Sequence, residues 1–295
     1  VEWRKVEERN KGFIVTTLVT DNHYQHYLPI FIYTMRRSNP NCLIKTFIKG
    51  RIDSLCESAF DFLHEKGIHF DLPIEFPFSE YPDNISVPNA LRFLIPECNF
   101  GNNDVLFTDA DFVFFPHEPA IDKYYKYKLK KWGQSYWGRR GFKRLIGTSQ
   151  KAKRIAGGGF LATPEWFEKT TELRARYREE LKDGKIGKVR EDDEIMLWYI
   201  CAGSKLGCPT KRGNKIKKKY RELHLGDFKF YHRWTSVQKM RRKINRGNYY
   251  KWHRLEEDET WLGLTQILSK CEEINQVITN VREYMSLRKG ETLES

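Results

Sequence analysis

Apolar and polar positions alternate between two periods along this chain, and the switches between them predict its elements. Phe13 to Thr20, FIVTTLVT, is a β-branched apolar run between polar flanks and predicts a buried strand. From about His23 to Arg37, Tyr24, Leu28, Phe31, Ile32 and Met35 share one helical face, and Asn39-Pro40 ends the pattern. Leu43 to Ile48 returns to strand character. Ser54 to Lys66 keeps Leu55, Ala59, Phe62 and Leu63 in helical phase, with Gly67 as its stop. Residues 73–88 are rich in proline and turn formers and predict a loop, followed by a short helix from Asn89 to Ile95 that Pro96 limits. Val105 to Phe107, Phe112 to Phe115 and Phe160 to Ala162 predict further strands. Thr163-Pro164 offers an N-cap and a first-turn proline for a helix to about Leu181, and another helix is expected from Asp192 to Ala202. Leu223 to Trp234 reads as strand and turn. At the end, Trp261, Leu264, Leu268, Cys271, Ile274, Ile278, Val281 and Met285 keep helical spacing for about seven turns, which predicts one long amphipathic helix packed on the body.

Strands alternating with helices predict an α/β fold. With no internal repeat and no linker, we expect one α/β domain over residues 1–254 and a helical C-terminal extension over 255–295. The 295 residues are 40% hydrophobic and 14% aromatic, enough apolar area for a sizeable core and too much for a disordered tail. No apolar run approaches the roughly 18 residues of a membrane span. The opening stretch, Val1 to Lys11, is charged and lacks a signal-peptide pattern, which suggests a cytoplasmic protein or a trimmed lumenal Golgi fragment. Six scattered cysteines form no CxxC pair, which fits a reducing compartment and small buried side chains.

Charge is unevenly spread. Residues 1–122 carry a net −7 and residues 255–295 a net −5, so the overall +13 comes from a +25 segment at 123–254. Such a field draws phosphates, whether of a nucleotide, a nucleic acid or an anionic membrane surface. Within it, residues 123–154 are basic and aromatic with clustered glycines, a poor core-former and a candidate mobile or substrate-facing excursion. Lys211 to Arg221 is a basic loop, either simply solvated or closing over a diphosphate or acceptor. For Trp132, Tyr136, Trp137 and Trp252, ordinary packing competes with stacking on sugar faces.

The chemistry centres on Asp109 and Asp111. They interrupt the apolar run LFTDADFVFF, and two carboxylates where a buried strand meets a loop are costly unless something cationic neutralises them. A divalent metal on oxygen ligands, Mg²⁺ or Mn²⁺, is the natural partner, and an added imidazole tilts the choice toward Mn²⁺.

Five ordered blocks between about residues 13 and 234 resemble the glycosyltransferases of family 8, which includes glycogenin and bacterial lipopolysaccharide galactosyltransferases. Thr17 to Tyr24 is similar to the family's opening strand and nucleotide-binding turn. Asn89 to Glu97, followed by Val105 to Phe115, resembles its RLxxPE helix and DxD strand. Ala156 to Leu161 stands where the family has Phe-Asn-Ser-Gly-Val, Glu191 to Ile195 resembles its DQ helix start, and His224 to Lys229 resembles its closing HxxGxxKPW segment. The resemblance implies a GT-A fold, a Rossmann-like nucleotide-binding sheet flanked by helices. It implies a metal-dependent transfer of a hexose or pentose from a nucleoside diphosphate, UDP in the first place, to a glycan or glycoconjugate acceptor. Asp109, Asp111 and His224 would hold Mn²⁺ or Mg²⁺, with Thr108 and Ala110 beside them on the nucleotide. Leu18, Thr20, Asp21 and Tyr24 would form the base and ribose pocket. Gly157, Gly158, Gly159 and Gly226 would allow close backbone approach. Arg92 and Lys229 would place positive charge at the diphosphate, and Asp192 or Asp193 would contact sugar hydroxyls at the reaction centre.

This sequence departs from the family where Gly157 and Gly158 replace Asn-Ser, Asp193 replaces Gln, and the closing motif is one residue short without Pro-Trp. The departures leave donor sugar and stereochemistry open: the family retains configuration, whereas an aspartate at 192 or 193 could serve as the general base of an inverting reaction. Two other readings stand beside the transferase. One is nucleic-acid binding by the basic segment, for which no recognition motif speaks, so no nucleic acid is expected. The other is a sugar-nucleotide-binding module without turnover. A membrane-bound acceptor would give the basic segment a peripheral role at an anionic surface.

Overall fold

The apolar run at the start of the chain forms β1 (Phe13–Val19), buried at every residue. Its pleat sends Phe13, Val15 and Val19 into one core and Ile14 and Leu18 into another, so β1 lies between two apolar layers. The computed structural model describes residues 12–20, 24–81, 88–144, 151–184, 193–206, 222–228 and 246–293.

Six strands make the central sheet, in the order β3 (Ile74–Phe76), β2 (Leu43–Lys49), β1, β4 (Asp104–Phe107), β9 (Phe160–Ala162) and β6 (Tyr136–Trp137). The first four are mutually parallel, while β9 runs antiparallel to β4 and β6 antiparallel to β9. Helices cover both faces. On one side lie α1 (Tyr27–Ser38), α2 (Ser54–Glu65), α6 (Arg246–Glu256), α7 (Glu259–Leu268) and α8 (Glu272–Leu293); on the other lie the 3₁₀ stretch Pro88–Leu94, α4 (Pro164–Lys182) and α5 (Asp193–Gly203). This is the mixed α/β architecture expected from the alternation of periods.

The topology fixes where a ligand can enter. After β1 the chain crosses through α1 to β2 on one side, and β4 later pairs with β1 on the other. The carboxyl ends of β1 and β4 therefore diverge at a reversal of strand order, and such reversals open a crevice in parallel sheets. Beyond β4, the chain turns through Thr108 to Asp111 into β5 (Phe112–Phe114), which pairs antiparallel with β10 (Glu222–His224) in the register His224↔Phe112. That register sets His224 beside Asp111.

Local signals explain most boundaries. Asp53 caps α2 by accepting from the Cys56 amide at 2.8 Å, and Gly67 follows at φ +74°, where a side chain would be strained. Thr163 caps α4 with Pro164 as its first residue. Of the five cysteines described, none in a disulfide, only Cys98 is exposed. No helix among the described residues is long and apolar enough to cross a membrane.

Three expectations need correction. The short helix expected from Asn89 is a 3₁₀ stretch, Pro88–Leu94, with too few residues before Pro96 to build an α-helical ladder; two arginines of α4 take its last carbonyls. Residues 123–154 are no core-poor excursion: they hold most of α3 (Ile121–Trp132), the edge strand β6 and the hairpin of β7 (Arg140–Arg144) with β8 (Lys151–Ile155), and Tyr124, Tyr125 and Tyr136 are buried. The single long C-terminal helix is broken at 269–271 into α7 and α8, with α6 preceding them across residue 254. Tyr136 and Trp252 are fully buried, which decides both for packing; the Trp132 side chain lies outside the described residues.

Candidate functional site

Two arginines of α4 fix the wall of the site. Arg174, fully buried, donates from Nε to the Phe93 carbonyl at 2.9 Å and from its terminal nitrogens to the Ile95 carbonyl and Glu97, while Arg178 reaches the Leu94 carbonyl at 2.8 Å. Three successive carbonyls at the end of the 3₁₀ stretch thus have partners that helix hydrogen bonds do not give. Burial pulls the Arg174 guanidinium down to about 10, and Glu97 only partly opposes this.

The stretch so held carries Arg92, whose side chain is 8% exposed. It stacks over the Phe93 ring and makes ion pairs with Asp109 at 2.5 Å and Asp193 at 2.6 Å. Burial works against its charge, but the two carboxylates outweigh it and hold the guanidinium above its ordinary pKa. Asp193 opens α5, so Arg92 ties the start of that helix to the turn after β4.

Asp111 is the most enclosed acid of the site, with a side chain only 1% exposed. Its Oδ2 accepts from the Tyr24 hydroxyl at 3.0 Å and lies 3.0 Å from His224 Nε2. Its Oδ1 is buried with no hydrogen-bond partner. Burial first, then Asp111, push the Tyr24 phenol up, so it remains a hydrogen-bond donor. Ligand atoms of Asp109, Asp111 and His224 lie within 4.8 Å of one another. Arg92 pairs with two of the site's carboxylates, Asp109 and Asp193, and Asp111 adds a third, which leaves a formal excess of two negative charges. A divalent cation would cancel that excess and supply the partner that Asp111 Oδ1 lacks, so the donor set fits Mn²⁺ or Mg²⁺.

Glycines let the backbone close on these groups. A Cβ at Gly157 would collide with the Arg92 guanidinium, one at Gly158 with Asp109 Oδ2, and one at Gly226 with Asp111 Oδ2. Gly159 has φ +92° and needs its freedom for the turn itself. Asp109 is wedged between Arg92 and Gly158 and can yield little. Gly158→Ala is expected to displace Asp109 and to weaken Mn²⁺ binding about tenfold. Titration of the purified variant by Mn²⁺ electron paramagnetic resonance checks this.

Tyr24, Arg92, Asp109, Asp111 and His224 line a cavity of about 470 Å³ at the crevice predicted by the topology; Asp193 and the glycines 157–159 and 226 stand behind it and are not among its lining residues. Of the site residues named from the sequence, Leu18, Thr20, Tyr24, Arg92, Asp109, Ala110, Asp111 and His224 all face it. Thr108 does not. It is buried behind the wall, its amide donating to the Thr16 carbonyl at 2.9 Å. Asp21, Asp192 and Lys229 lie outside the described residues. A larger cavity of about 940 Å³ between α3 and α4 has Glu165 as its one acid among the described residues.

No family model matches the sequence, and no curated protein matches it. Solved structures do. The galactosyltransferase LgtC, in complex with donor and acceptor sugar analogs, is similar at 16% identity over 57% of this chain and 65% of that one, with a TM-score of 0.37. An active-site mutant of LgtC gives 17% identity over the same shares and a TM-score of 0.36. The match thus spans just under two-thirds of LgtC.

Sequence reasoning passed over Thr17, Val19 and Asn89, which also line the cavity, and Glu194. Asn89 accepts from the Thr20 hydroxyl at 3.2 Å. It stands three residues before Arg92 on a 3₁₀ stretch, where positions i and i+3 eclipse, and that spacing was the available signal. Glu194 pairs with Arg154 of β8 and accepts from the Gly157 amide at 3.3 Å, so it holds the glycine run against α5.

Proposed function

We propose that the chain is a metal-dependent glycosyltransferase that moves a hexose or pentose from a nucleoside diphosphate sugar, probe donor UDP first, to a glycan or glycoconjugate acceptor. The observation that carries this reading is the convergence of Asp109, Asp111 and His224, with a buried carboxylate oxygen left without a partner, in a cavity at the strand-order reversal. That position is where open α/β sheets take nucleotides. The likeness of the sequence blocks to family 8 points the same way.

In this reading Asp109, Asp111 and His224 hold Mn²⁺ or Mg²⁺, which when bound supplies Lewis-acid stabilisation for a leaving diphosphate. The chain's own groups do the rest. Leu18, Thr20 and Tyr24, with Asp21 from the adjoining segment, form the wall for base and ribose. Arg92 offers fixed positive charge at the inner end of the cavity, where negative charge grows as the glycosidic bond breaks. Asp193 is held by Arg92 and is the described carboxylate best placed to orient sugar hydroxyls; Asp192 and Lys229 are assigned from the sequence. The glycine run 157–159 lets the backbone approach Arg92 and Asp109 closely and so holds the wall on which the donor would rest. The basic segment at 123–254 meets an anionic acceptor or the surface that bears it, and residues 255–295 serve as an extension of the transferase domain.

The test is UDP release from a panel of UDP- and GDP-sugars, with Mn²⁺ or with EDTA. Metal-dependent release from one donor, absent in an Asp109→Ala/Asp111→Ala double variant, is expected. Metal-independent release, or release unaffected by the double substitution, would overturn the assignment.

A further inference from the structure

The last helix, α8, lies far from the cavity in sequence yet bears on its third ligand. Asn280, at 1% exposure, donates from Nδ2 to the Phe228 carbonyl at 2.8 Å, while its Oδ1 accepts from Gln276 Nε2 at 2.8 Å. Both ends of the amide are therefore committed, and its orientation is fixed. Phe228 ends the 3₁₀ turn Leu225–Phe228 that follows directly on His224, and its buried ring meets Tyr284 of α8 edge to face. At its other end this turn is held by the Leu225 amide, which donates to the Asp111 carbonyl at 2.8 Å, and by Gly226 against the Asp111 carboxylate.

The turn is thus pinned at one end by the metal-site aspartate and at the other by Asn280. Two turns earlier on α8, Glu273 accepts from the Tyr27 hydroxyl at 3.2 Å, and the Tyr27 ring lies 5.0 Å from that of Tyr24, which donates to Asp111. A single helix braces the cluster from two directions.

We propose that Asn280 is a positioning residue for His224: by holding the Phe228 carbonyl it fixes the 3₁₀ turn that keeps the imidazole beside Asp111. The proposal rests on the reading of Asp109, Asp111 and His224 as a divalent-metal site. Groups that orient a ligand from behind commonly change metal affinity by about 10- to 100-fold when removed. Val277 sits on the same helix, fully buried, and makes no contact of this kind, so Val277→Ala is the matched control for lost packing.

Two readouts separate the cases. Hydrogen exchange at the Leu225 amide, followed by NMR without metal, reports whether the turn still holds; Mn²⁺ titration by electron paramagnetic resonance, without donor, reports the site. Asn280→Ala, and Asn280→Asp, which keeps the volume but removes the donor, are expected to speed Leu225 exchange about tenfold and to weaken Mn²⁺ about tenfold. Val277→Ala should lower the melting temperature and leave both readouts within about twofold of wild type. Unchanged Leu225 exchange in both Asn280 variants, or an equal change in Val277→Ala, would overturn the proposal. Absence of Mn²⁺ binding by the wild-type protein would instead count against the metal reading, while the Leu225 exchange would still decide the role of Asn280.

Discussion

Asp111→Asn is expected to abolish measurable Mn²⁺ binding and to reduce donor turnover on the order of 10³-fold, the effect of removing about 4 kcal/mol of charge stabilisation. The substitution keeps shape and both neighbours of Oδ2. What it removes is the charge on a side chain only 1% exposed, whose Oδ1 has no protein partner. A buried carboxylate compensated on only one of its two oxygens costs stability, so the metal-free variant should melt no lower than wild type, and higher if the cost is released. Isothermal titration with Mn²⁺ beside thermal unfolding in EDTA checks both halves. Loss of stability together with loss of metal would mean that Asp111 is a structural group. Retained binding would remove it from the ligand set.

Arg174→Ala is expected to cost about 4 kcal/mol of folding stability, most of it from orphaned buried carbonyls and a cavity, since the Glu97 side of its ion pair is 44% exposed. Three effects combine. The Phe93 and Ile95 carbonyls lose their donors, Glu97 loses its partner, and the rings of Trp166 and Phe167, over which the guanidinium lies at 5.4 and 4.9 Å, face a void. Set against total stabilities of roughly 5–15 kcal/mol, that loss is large. Arg174→Lys keeps the charge but not the planar fork that serves two carbonyls and a carboxylate, so it should recover only part. Urea unfolding measures the difference. Because the same carbonyls end the stretch that carries Arg92, the surviving folded fraction of Arg174→Ala should also bind Mn²⁺ more weakly.

Elements with local signals were legible in the sequence: β1 and β2 as apolar β-branched runs, α2 between Asp53 and Gly67, and α4 from Thr163-Pro164. The break between α7 and α8 was hidden because Leu268, Cys271 and Ile274 stay in helical phase across it, and periodicity does not register an interruption that preserves phase. Residues 123–154 looked unfit for a core because their charges outnumber their apolar groups. Tyr124 and Tyr125 are nevertheless buried, and Lys128, at 1% exposure, sets its ammonium over the Tyr124 ring at 4.9 Å. At the site, Asp109 and Asp111 announced themselves as acids inside an apolar run. His224 was carried by the resemblance alone, since a lone histidine has no periodic signature and its partner strand is three residues long. The role of Arg174 was invisible, because nothing local marks which arginine of a helix will meet a carbonyl from another segment.

His224 and Asp111 are more than a hundred residues apart in sequence and are brought together by the short ladder of β5 and β10. A cation shared between them would act as a removable cross-link, closing a loop of that length in the folded chain. Closing long loops restricts the unfolded ensemble, and a ligand that binds the folded state alone raises stability with its concentration. The chain's resistance to unfolding would then depend on the free divalent ion around it, as well as on its own packing.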